Sequence, residues 1–193
     1  MGNRGGALHN QKREIVRQYA SRRWITCLLE FKGRHRAVMS PGRYTELFFL
    51  DEAVALAAGH RPCAECRRER FNAFKAAWRL GAFKAAWQPE PMGDFLYADD
   101  IDRELHRTRI REHREKVTYS ADSRSLPDGC FVQIANASYL VWREGLLRWS
   151  PEAYVEKRRR SGHGDVTVLT PEPIVRCLRH GYRPEIHQSA LAL

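Results

Sequence analysis

Two cysteines, Cys63 and Cys66, follow directly behind Pro62 with two residues between them. No other feature constrains the chain as much. Thiolates at this spacing can chelate one tetrahedral metal ion across a tight turn. The flanking residues place that turn at the start of a helix. Asp51 is suited to cap a short Ala-rich helix, and Gly59 is suited to end it. His60-Arg61-Pro62 then delivers the chain to Cys63-Ala64-Glu65-Cys66. A helix dipole and the neighbouring Arg61, Arg67 and Arg68 would favour the thiolate form. The remaining cysteines are Cys27, Cys130 and Cys177. Met1 to Gly6 lack the apolar stretch of a signal peptide, so a reducing, cytosolic setting is expected and a disulfide framework is not. Cys130 and Cys177 read as core thiols.

Residues 44–70, YTELFFLDEAVALAAGHRPCAECRRER, resemble the metal-binding domain of the Ada DNA-alkylation-repair family. The matching residues are Ala57, Ala58, Gly59, Arg61, Pro62, Cys63, Cys66 and Arg67. In that family two further cysteines lie upstream, the four hold zinc, and one accepts a methyl group from a DNA phosphotriester. The resemblance therefore implies a zinc site and DNA as partner. Here only Cys27 lies upstream, and Leu28 to Phe31 contain no second cysteine. The site implied is Cys27, Cys63 and Cys66 with a histidine, either His35 or His60. The competing reading has Cys27 packing on an apolar strand face and no metal at the turn. Pro-Cys-x-x-Cys is also half of the zinc nucleobase-deaminase signature. The other half, His-x-Glu, is missing: His9 is followed by Asn10-Gln11 and His35 by Arg36-Ala37. Without the glutamate there is no proton shuttle, and a deaminase is not expected.

Charge points to the same kind of partner. Thirty-three Lys and Arg against 23 Asp and Glu give a net charge of +10, which favours polyanions through counterion release. Candidate nucleic-acid contacts are Arg34, Arg36 and Arg43 in the loop KGRHRAVMSPGR, Arg61, Arg67 and Arg68 around the cysteine turn, and Arg158, Arg159 and Arg160 in KRRRSGHG. DNA is the expected partner, with RNA left open. An alternative is a metal- or Asp/His-dependent nuclease or DNA glycosylase, with Asp102 and His106 as acid–base pair on a charged helix that also carries Arg109 and His113. On that helix, charge pairs on a solvated face are the simpler reading. A third reading is a structural metal module in a protein–protein adaptor.

The pattern along the chain predicts an α+β fold. An α-rich N-terminal half with the Cys-x-x-Cys turn precedes a small antiparallel β-rich C-terminal half, divided as 1–93 and 94–193. Residues 1–9 are glycine-rich and expected to be loose. A helix is predicted over 11–22, with strands over 24–31 and 44–50. AFKAAW occurs at 73–78 and again at 82–87. Nine residues at about 100° each turn the second copy to the opposite face, so a break is predicted near Gly81. A charged helix is predicted from Asp99 or Asp100 to about Lys116, then strands over 117–119, 131–134, 139–142, 146–149 and 166–169, and a last helix ending at Gly181.

Overall fold

Asn10 decides the course of the first segment. Its side-chain oxygen accepts from the backbone N–H of Lys12 and of Glu14, and Arg13 takes a left-handed φ of 62°. These local bonds compete with helix formation. In the computed structural model, which describes residues 1–33, 37–85, 96–111, 114–160 and 164–193, residues 11–22 form turns and bends. No helix forms there, and Ile15 and Val16 are exposed. Residues 1–9 are the opposite of loose. Strand β1 (Gly2–Asn3) is buried, and so are Leu8 and His9. The predicted strand over 24–31 is reduced to β2 (Ile25–Thr26), and 44–50 holds only a bridge from Leu47 to Gly2.

Helix α1 (Glu52–Ala57) begins as predicted, with the Asp51 carboxylate accepting from Val54 N–H at 2.9 Å. Gly59 follows at φ 80°. A Cβ at Gly59 would sit 2.7 Å from Arg109 Cδ, so both the backbone angle and the close approach require glycine. Strand β3 (Arg61–Pro62) then completes a small sheet, ordered β1-β2-β3, with β2 and β3 parallel.

Helix α2 (Arg68–Ala85) runs unbroken through Gly81. That glycine lets α2 approach α4 (Glu172–Arg179) closely: a Cβ on it would lie 3.2 Å from Arg176 and from His180. The charged helix, α3, spans Ala98–Arg109. The strands β4 (Tyr119–Asp122), β5 (Phe131–Ile134), β6 (Ala137–Trp142), β7 (Gly145–Trp149), β8 (Tyr154–Arg159) and β9 (Asp165–Val168) form one antiparallel sheet ordered β4-β9-β5-β6-β7-β8. Arg158 and Arg159 lie in β8, although the basic, glycine-containing stretch 157–164 reads as a loop.

Both faces of this sheet are covered, which is why its strands read Phe131-Val132, Leu140-Val141 and Leu146-Leu147 rather than alternating with polar residues. Val132, Val141 and Leu146 pack with Phe74, Trp78, Leu105 and Ile174 of the helices. Phe131, Leu140 and Leu147 pack with Ala53 and Ala57 of α1. The larger core thus draws on residues from both sides of position 93.

The α-rich N-terminal half is not what forms. Among the described residues, four helices are spread along the chain and nine strands make two sheets, so the protein is a mixed and strand-rich α/β structure. The N-terminal segment spends its backbone bonds on side-chain-closed turns and two-residue strands instead of helix. No helix among the described residues is long and apolar enough to cross a membrane.

Candidate metal centre

The small sheet assembles the cysteines. Its register sets Ile25 opposite Arg61 and Thr26 opposite Pro62. The next residue on each strand is therefore a cysteine, Cys27 and Cys63. The Cys63 N–H donates to Thr26 C=O at 2.9 Å, and the Cys27 N–H to Met1 C=O at 2.6 Å. The turn into α2 brings Cys66 back to the pair. The three sulfurs lie within 4.8 Å of one another, and among the described residues no other His, Cys, Asp or Glu joins them. Such a group could hold a metal ion.

Backbone dipoles favour negative charge on these sulfurs. Glu65 N–H donates to Cys63 Sγ and Leu28 N–H to Cys66 Sγ, each at 3.4 Å. The neighbouring Cys27 thiol, helped by the N–H groups of Cys66 and Glu65, holds the Cys63 thiol well below its ordinary range. Cys27 is pushed far up by the neighbouring Cys63 and by burial. Burial also pushes Cys66 up. Of the three thiols, Cys63 is thus the one most readily ionised. All three line one cavity of about 330 Å³, together with Phe31, Val38, Tyr44 and Phe48. No local pattern announces this lining, because it depends on how the N-terminal loops fold back.

The histidines expected nearby divide. His35 lies outside the described residues, as do Arg34, Arg36 and His113. His60 is wholly buried and is not one of the groups gathered with the sulfurs; its ring meets Trp24 at a tilt, 5.4 Å between centroids, and Phe49 edge-on at 4.8 Å.

The proposed acid–base pair is not joined in the structure. Asp102 is buried and takes two bonds from Arg61, Nε at 2.9 Å and an Nη at 2.7 Å. His106 instead meets the edge of Tyr19 and lies 3.3 Å from a nitrogen of Arg109. Arg109 is itself committed, donating to Gly59 C=O and Arg22 C=O while stacking on Trp24.

Several expected nucleic-acid contacts prove to be structural. Arg61 is consumed by Asp102 and by Pro62 C=O. Arg67 pairs with buried Glu52 at 3.4 Å and with Glu185 at 2.9 Å. Arg160 has only 14% of its side chain exposed and donates to the carbonyls of Ser123, Leu126, Arg124 and Arg143. Sequence reasoning missed these roles because an arginine that clamps carbonyls looks the same in a string as one facing solvent. Arg43, Arg68 and Arg159 are exposed. Arg158 is exposed too, beside Glu156 at 2.5 Å.

Fold and site together define a strand-rich α/β protein with a three-cysteine group that could hold a metal ion. Comparison with protein-family models, with curated proteins and with solved structures returned no match.

Proposed function

We propose that this is a DNA-binding protein whose Ada-like module holds zinc through Cys27, Cys63 and Cys66, acting in DNA repair or in recognition of modified DNA. The convergence of Cys27 with Cys63 and Cys66 carries the reading. A cysteine that merely packed on an apolar strand would have no reason to meet the other two. The donor set fits zinc: Zn–S bonds of about 2.3 Å place tetrahedral sulfurs somewhat under 4 Å apart, which is compatible with sulfurs lying within 4.8 Å of one another. Bound zinc would cross-link β2 to the turn ahead of α2 and offset most of the thiolate charge. The net charge of +10 and the exposed Arg43, Arg68, Arg158 and Arg159 support a polyanionic partner. The ion pair that consumes Asp102 weighs against the nuclease or glycosylase alternative.

Metal analysis of the purified protein, paired with fluorescence-anisotropy titration of DNA over a range of salt, tests the proposal. About one zinc per chain and steeply salt-dependent binding are expected. A metal-free protein, or one that ignores DNA at low salt, refutes it.

A further inference from the structure

Residues 8–17 form a small protrusion that the cysteine centre does not explain. Its base is fixed. Leu8 is buried, and its N–H donates to Thr45 Oγ1 at 2.7 Å. His9 bridges antiparallel to Ile15, Val16 N–H donates to Leu8 C=O at 2.8 Å, and Arg17 Nε donates to Ala7 C=O at 2.7 Å. The Asn10 side chain closes the tip by accepting from the N–H groups of Lys12 and Glu14, with Arg13 in the left-handed region. Every residue from Gln11 to Gln18 is exposed. The backbone is thus held in one shape while the side chains face outward.

Those side chains are apolar in the middle and cationic on both sides. Ile15 is 57% and Val16 61% exposed. Both are β-branched and stiff, so little rotamer freedom is lost when a partner buries them. Lys12 and Arg13 precede them and Arg17 follows. Against these three cations stands one acid, Glu14, whose carboxylate accepts from Asn10 Nδ2. At the foot of the loop Arg22 is exposed and Arg23 is paired with Asp99; on the adjoining helix Asp100 is paired with Arg103. The local balance is cationic. A single exposed aliphatic is ordinary on a protein surface, but two adjacent ones on a side-chain-closed loop, flanked by cations, suit an anionic partner with an apolar interior.

DNA is such a partner. Proteins that distort it insert apolar wedges between base steps while cations hold the flanking phosphates. Unstacking costs least at a mismatched or damaged base. A membrane surface fits less well, because residues 11–18 form turns and bends rather than an amphipathic helix, and two aliphatic side chains bury little apolar area. We propose that the Asn10-closed loop is a DNA-inserting wedge: Ile15 and Val16 enter a weakened base step, and Lys12, Arg13 and Arg17 contact the phosphates beside it. This rests on the reading of the protein as a DNA binder and is independent of the metal.

The test uses the full chain and two duplexes carrying 2-aminopurine, one matched and one with a mismatch beside the probe. Anisotropy at fixed salt gives affinity, and the brightening of 2-aminopurine reports unstacking. The mismatched duplex should bind roughly tenfold tighter, and its probe should brighten on binding. Ile15→Ser/Val16→Ser should remove both effects without changing the salt slope. Lys12→Ala/Arg13→Ala should instead lower the salt slope by about one unit per lost phosphate contact. Circular dichroism of both variants should match the wild type, because all four side chains are exposed. Binding with neither mismatch preference nor brightening in the wild type overturns the wedge and leaves the DNA reading standing. So does either effect surviving in the serine variant, or a salt slope unmoved in the alanine variant. Loss of phosphatidylserine-vesicle binding in the serine variant, with DNA behaviour unchanged, overturns the wedge in favour of a membrane contact. No binding to either duplex at low salt overturns the DNA reading as well.

Discussion

Replacing Asp102 by alanine should destabilise the protein far more than its position on a charged helix would imply. Its carboxylate and the Arg61 guanidinium form a two-bond pair with side chains only 2% and 5% exposed. Removing the acid strands a guanidinium left with the Pro62 C=O and the face of Phe71. Losing one member of a buried pair costs about 3–5 kcal/mol. Burial pushes the Asp102 carboxyl up even against the pull of Arg61, so the pair has little net favourable energy of its own. Removing both charges should therefore hurt less than removing one. Urea unfolding monitored by far-UV circular dichroism measures this for Asp102→Ala, Arg61→Met and the double variant Arg61→Met/Asp102→Leu. The double variant should be more stable than Asp102→Ala, a coupling of about 2 kcal/mol or more. Additive losses, or a cost below about 1 kcal/mol for Asp102→Ala, would refute the buried-pair argument and restore Asp102 as a candidate for chemistry.

Cys63→Ser should abolish stoichiometric zinc, and a strong chelator should lower the melting temperature of the wild type but not of the variant; calorimetry with metal analysis checks both. Gly59→Ala should cost roughly 1–3 kcal/mol, because alanine is strained at φ 80° and its Cβ meets Arg109; denaturant titration gives the value. Burial, with the charges of Arg4 and Arg109, holds His60 well below its usual range. It is neutral when folded and takes up a proton on unfolding near pH 6.5. Stability should thus fall as pH drops below about 6.5, and His60→Phe should flatten that fall in melting curves between pH 7 and 5. Replacing Arg158 and Arg159 together should lower the salt slope of DNA binding by about one unit per lost phosphate contact, whereas Arg160→Ala should instead lower the melting temperature by freeing buried carbonyls.

Local chemistry made part of this protein readable from its sequence. Asp51 and Gly59 bound α1 because a cap and a left-handed stop act within a few residues. Phe131–Ile134 is a strand with the predicted bounds, and Cys63-x-x-Cys66 lies at the turn into α2. The string also marked Cys130 and Cys177 as core, and both are fully buried. Tertiary structure decided the rest. Helical spacing in 11–22 lost to Asn10, whose side chain closes a turn. Gly81 reads as a helix break, but it serves the contact between α2 and α4. The placing of Cys27 beside Cys63 depends on β2 and β3 pairing in parallel at one register, and Arg61 meets Asp102 only because α3 comes up against β3. A parallel pairing joins segments far apart in the chain, and the intervening residues carry no period that announces it. Which thiols meet, and which arginines are left exposed, follows from that pairing and from the packing around it.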